Sequence, residues 1–132
     1  MAYDEESKRK ARGAIEAFCE VYKKIMDEKD FKGYDKQLMQ DLRLIEANPA
    51  GGATWELPVT EFWANLNGIT IRIRATVIQH GRTMALIGAV MESPDGKVVY
   101  ATAEHHKVHV PALPEYAARM KEGREGKAGA KL

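Results

Sequence analysis

The hydrophobic period of this chain changes once, near Leu42, and that change limits what it can fold into. Before it, Ile15, Phe18, Cys19, Tyr22, Ile25 and Met26 recur at steps of three and four, one apolar stripe of a helix spanning about residues 5–29. Lys and Glu fill the opposite face. "KDFKGYDKQ" breaks this pattern, with Gly33 as a turn residue and a short helical turn expected over 36–41. From Leu42 onward the period is two, which is the alternation of a strand whose side chains point to opposite faces.

"LRLIEA" reads as a short strand and "NPAGG", Asn48 to Gly52, as a turn. "ATWELPVT" places Ala53, Trp55, Leu57 and Val59 on one face, with Pro58 suited to a strand end or free edge. "ITIRIRATVIQ" places Ile69, Ile71, Ile73, Ala75 and Val77 on one face and Thr70, Arg72, Arg74 and Thr76 on the other. "HG" at 80–81 is a tight turn. "RTMALIGAVME" is apolar on both faces, as in a central strand. "SPDGK" is a hairpin loop, "VVYATAEHHKVHV" the last strand, and a short helix is expected after Pro114. Strands joined by short loops pair with their sequence neighbours. The expected architecture is α+β: an antiparallel sheet of about five strands over about 42–110, with the N-terminal helix against it. Residues 1–117 form a single domain in this reading, and 118–132 a flexible basic tail, because "GREGKAGAKL" has no apolar periodicity.

Composition narrows the function. Lys and Arg number 20 against 19 Asp and Glu, a net charge of +1, which is no nucleic-acid footprint. No apolar run is long enough for a membrane span, and the charged N-terminus has no secretory core. The single cysteine, Cys19, falls on the helical stripe and reads as a buried thiol. Among the histidines, His105 and His109 share a strand face, His106 takes the other and His80 sits at a turn; no zinc-like spacing accompanies them, so no metal site is expected. Arg72 and Arg74 form either a solvated strand face or a phosphate contact. "QHGRT", Gln79 to Thr83, is a hairpin turn that also suits an anion. Asn65 and Asn67 fit turn chemistry, or an amide that polarises a carbonyl or orients a water.

"LRLIEANPAGGATWE", "LPVTEFWANLNG" and "VIQHGRTMALIGAVMESPDGKVVYATAEHHKV" together resemble the hotdog-fold acyl-CoA thioesterases, of the thioesterase-superfamily-member-2 and phenylacetyl-CoA-thioesterase type. The resemblance covers Leu38 to Val110 and is most specific at "HGRTMAL" and "DGKVVYAT". It implies a hotdog-like sheet, hydrolysis of acyl-CoA to free acid and CoA, and a homo-oligomer. It implies a substrate- or water-positioning role for Asn65, and CoA contacts from Gln79, His80, Gly81, Arg82, Thr83 and Met84. Lys107 matches a basic position near the end of the last strand. CoA enters as part of the substrate, with no separate cofactor.

One block of the family pattern is absent. After "NLNG" the chain passes at once into "ITIRIRA", without the "HGG" oxyanion segment, the central helix with its carboxylate, or the next strand. The block amounts to about forty residues, the size of a helix, a strand and their connections. Two functions therefore follow from the resemblance: an acyl-CoA thioesterase, or a non-catalytic relative that binds CoA or acyl-CoA or partners a full-length paralogue. The strands flanking the junction are expected to join as a hairpin. Without a central helix, Trp55, Leu57, Ile71, Ile73 and Leu86 need another cover, either the N-terminal helix or a second subunit. The last residues, Ala130, Lys131 and Leu132, resemble a peroxisomal address read by an import receptor, which makes the expected location peroxisomal and otherwise cytoplasmic.

Overall fold

A computed structural model describes residues 2–63 and 69–129. Helix α1 spans Glu5–Glu28. Asp4 caps its start by accepting from the Ser7 N–H at 2.8 Å, and Glu5 and Glu6 favour the positive end of the helix dipole. It stops in a Schellman motif: Asp30 turns left-handed (φ 49°), Phe31 N–H donates to Met26 O and Asp30 N–H to Asp27 O. Helix α2 follows at Tyr34–Asp41.

Five strands come next: β1 Arg43–Ala47, β2 Gly52–Pro58, β3 Thr70–His80, β4 Met84–Glu92 and β5 Val99–Val108. They form one antiparallel sheet in the order β1-β2-β3-β4-β5. The expected α+β architecture is observed, an arrangement consistent with a hotdog-like sheet that lacks a central helix. The turns use the chemistry their residues carry. Asn48 Oδ1 accepts from Ala50 and Gly52 N–H while Gly51 takes φ 89° between β1 and β2. Asp95 accepts from the Ser93 hydroxyl and the Lys97 N–H between β4 and β5.

The registers sort side chains onto two faces. Ala53, Ala75, Ala89 and Ala103 lie opposite one another across β2 to β5, and Trp55, Ile73 and Met91 form the next row. This is the apolar face. The other carries Thr54, Glu56, Arg72, Arg74, Thr76 and Glu92. A bulge between Val77 and Gln79 swaps the parity of β3 at its end. Leu86, expected beside Trp55, instead pairs with Gln79 and His106 on the polar side, because it lies one residue out of step with Ala85 and Ile87.

Helix α1 covers only one end of the apolar face. It packs on β1, and its Ile15 and Cys19 line a cleft with Leu44 and Trp55. Helix α3, Pro114–Gly129, packs on α1 rather than on the sheet. Arg119 forms a bidentate ion pair with Glu28, and Lys29 Nζ lies 5.9 Å from the Tyr116 ring centre. Residues 118–129, expected as part of a flexible tail, therefore continue the helix; Ala117, Ala118, Met120 and Lys121 are good helix formers, and the ion pair ties them to α1. Ala130, Lys131 and Leu132 lie outside the described residues. The buried apolar residues are Ala17, Ile25, Met26, Ala47, Leu57, Ile71 and Ala85, while every residue of β5 is exposed. No helix among the described residues is long and apolar enough to cross a membrane.

Candidate functional site

The most chemically loaded place is the corner where β3 turns into β4 beside the end of β5. Gly81 N–H donates to Met84 O at 2.8 Å and closes the turn. A side chain at Gly81 would crowd that carbonyl at 3.2 Å. His109 N–H donates to Thr83 O at 2.8 Å, which draws the end of β5 onto the turn. The His80 and His109 rings meet edge to face, 5.2 Å between centres and 75° between planes.

His80 lies opposite Ala85, and Ala85 opposite Lys107. His80 and Lys107 therefore share a face, two strand spacings or about 10 Å apart, with a small side chain between them. Arg82 stands exposed at the tip of the turn. Four cation-capable side chains, His80, Arg82, Lys107 and His109, thus gather at one corner from three segments of chain. Gln79 and Met84 do not join them. Gln79 pairs with Leu86 and Met84 with Val108, both on the opposite face, and for Gln79 the cause is the bulge at Ile78. Thr83 contributes through its backbone carbonyl. His109 was not among the expected contacts; its parity with Lys107 along β5 is the signal that places it there.

Asn65, the expected catalytic residue, lies outside the described residues. The anchors of its segment are described. Val59 N–H donates to Ile69 O at 2.7 Å, which extends the β2–β3 ladder beyond Pro58 and Thr70 and makes the junction the expected hairpin. Trp63 Nε1 donates to Asp41 at 2.9 Å, holding the 3₁₀ turn Glu61–Trp63 near α2. This junction sits at the start of β3 and the His80 corner at its end, ten residues or about 33 Å apart along one strand.

Arg72 and Arg74 converge on one carboxylate. Both grip Glu92, with Arg72 Nη2 at 2.8 Å and Arg74 Nε at 2.6 Å from Oε1. Glu92 is only 2% exposed, and the hydrogen bond from Arg74, then that from Arg72, holds its carboxyl below the usual range against the opposing effect of burial. Arg72 also lies directly under Gly96 in the β4–β5 turn. On the same polar face, Arg74, Thr76, Ile78, Thr102 and Glu104 border a shallow groove of ≈ 580 Å³.

The second cleft, ≈ 250 Å³ between α1 and the sheet, has an apolar floor of Ile15, Met39, Leu44 and Trp55. Cys19 lines it, and burial pushes its thiol pKa up, away from the thiolate that a nucleophile requires. Among the described residues no three His, Cys, Asp or Glu side chains are grouped to hold a metal ion.

No protein-family model, curated protein or solved structure matches this chain.

Proposed function

We propose that the protein engages acyl-CoA in the manner of a hotdog thioesterase, seating the phosphates of CoA at the His80–Arg82–Lys107–His109 corner and hydrolysing the thioester. The supporting observation is that corner itself: four cation-capable side chains converge from β3, the turn and β5. The Arg82 fork suits bidentate phosphate contact, and Lys107 supplies a compact point charge. Hydrolysis asks for more than binding. A water has to be positioned and the developing oxyanion stabilised; the Asn65 amide is the group for that role, supplied by a second copy, because the Val59–Ile69 base of its segment lies about 33 Å along β3 from the corner of its own copy.

A second reading, binding without turnover, draws on Glu92. This carboxylate is held ionised by two arginines and shielded from solvent, so it is a poor proton acceptor. Glu104, the acid nearest the corner in sequence, lies on the face opposite Lys107. Hydrolysis measured across acyl-CoA chain lengths, together with calorimetric CoA binding, separates the two. Turnover lost in Asn65→Ala with binding retained supports hydrolysis. Binding without turnover supports the second reading, and absence of both overturns the acyl-CoA assignment.

A further inference from the structure

The sheet has two edges, and they are built differently. At β1 the edge is blunted. The strand has five residues, its register shifts between Leu44 and Glu46, and α1 packs on it. Arg12 donates to the carbonyls of Leu44 and Ile45, both at 2.9 Å, which occupies acceptors an incoming strand would need. Among the described residues β5 has no helix packed on it and is twice as long, and its one register shift, opposite Met91 and Glu92, falls at its start. It runs ten residues, and from Met84↔Val108 to Met91↔Ala101 its ladder to β4 carries no bulge. Among the described residues no strand pairs with its outer side, and every side chain is exposed.

The direction of the open backbone groups follows from one hydrogen bond. His109 N–H points inward, to Thr83 O. Backbone groups alternate along a strand, so the N–H and C=O of Thr102, Glu104, His106 and Val108 point outward. We infer that two copies of this chain pair β5 with β5 in antiparallel fashion about a two-fold axis, joining their sheets into one.

Charge favours the register that sets Glu104 against a cation-capable side chain. A two-fold axis perpendicular to the sheet keeps each face on its own side, so paired residues share parity. With Glu104 on the axis, two like charges meet, which opposes pairing. With His106 on the axis, His105 meets Lys107. With His105 on the axis, Glu104 of each copy faces His106 of the other, and Thr102 faces Val108. All four of these residues carry outward backbone groups, so each pair exchanges two N–H···O bonds. A strand that pairs with itself closes after two copies, and the blunted β1 edge gives a third copy nowhere to add. The pairing also brings the Val59–Ile69 junction of one copy to the same end of the joined sheet as the His80–Lys107 corner of the other. That corollary rests on the acyl-CoA reading; the pairing does not.

Sedimentation and light scattering over a range of concentrations, without any CoA, test the pairing. A two-copy mass is expected. Glu104→Pro removes an outward N–H, a change an edge strand tolerates, and should weaken self-association roughly tenfold or more with an unchanged circular dichroism spectrum. Glu104→Lys should weaken it, and adding His106→Glu should restore it. In a Cys19→Ser background, His105→Cys should cross-link two copies under mild oxidation, since axial residues sit within disulfide reach, and Ala103→Cys should not. A one-copy mass throughout overturns the inference. So does a two-copy mass that is indifferent to both Glu104 substitutions and gives no His105→Cys cross-link.

Discussion

Val59 donates its backbone N–H to the carbonyl of Ile69 at 2.7 Å, so the segment between them is closed at its base by the same ladder that joins β2 to β3. A flexible insertion there should be tolerated. Doubling the length of residues 60–68 with Gly/Ser should cost only about 0.6 kcal/mol, the loop-closure term. Urea denaturation measures it, and a loss several times larger would mean that the native segment carries essential packing.

Acid should weaken the Arg72–Glu92–Arg74 cluster. The Glu92 pKa is lower folded than unfolded, so its contribution to stability is complete above the ordinary glutamate pKa of about 4.3 and is lost as pH falls through the folded value. Glu92→Gln should be less stable at neutral pH and show a shallower decline on acidification. Urea midpoints for both proteins from neutral pH downward would show it; parallel curves would contradict it.

At the basic corner, Arg82→Ala should weaken CoA binding by roughly tenfold, the scale of one charge-assisted hydrogen bond. The effect should shrink at high salt because Arg82 is exposed. Calorimetry at two salt concentrations reads both, and equal affinity in the variant would remove Arg82 from the site.

Leu57 is one of few apolar side chains that the sheet buries, at 7% exposure. Leu57→Ala should cost about 2–3 kcal/mol, toward the low end for such truncations because neighbouring Trp55 and Ile73 are only half-buried. A change below about 0.5 kcal/mol in denaturant unfolding, the range of surface substitutions, would show that Leu57 is not core.

Much of the architecture was legible in the chain. Ile15 to Met26 at helical spacing, the alternation from Ile69 to Val77, and the Asn48–Gly52 and Ser93–Lys97 turns each depend on residues close in sequence, and each appears as read. The candidate site was legible in part. His80 and Lys107 do share a corner, while Gln79 and Met84 face away from it.

By itself, then, the sequence determined helix α1 and the five strands, because hydrophobic period and turn chemistry act over a few residues, whereas the helix through 118–129 has no such period and reads in sequence as a tail. Only the tertiary structure decided which face Gln79 occupies, since one bulged residue at Ile78 reverses the parity of everything after it. It also decided that Arg72 and Arg74 take Glu92, about twenty residues away, as their partner. And it set α3 on α1, leaving β5 open, because helix placement follows from which apolar stripes meet across the molecule and no local pattern records that.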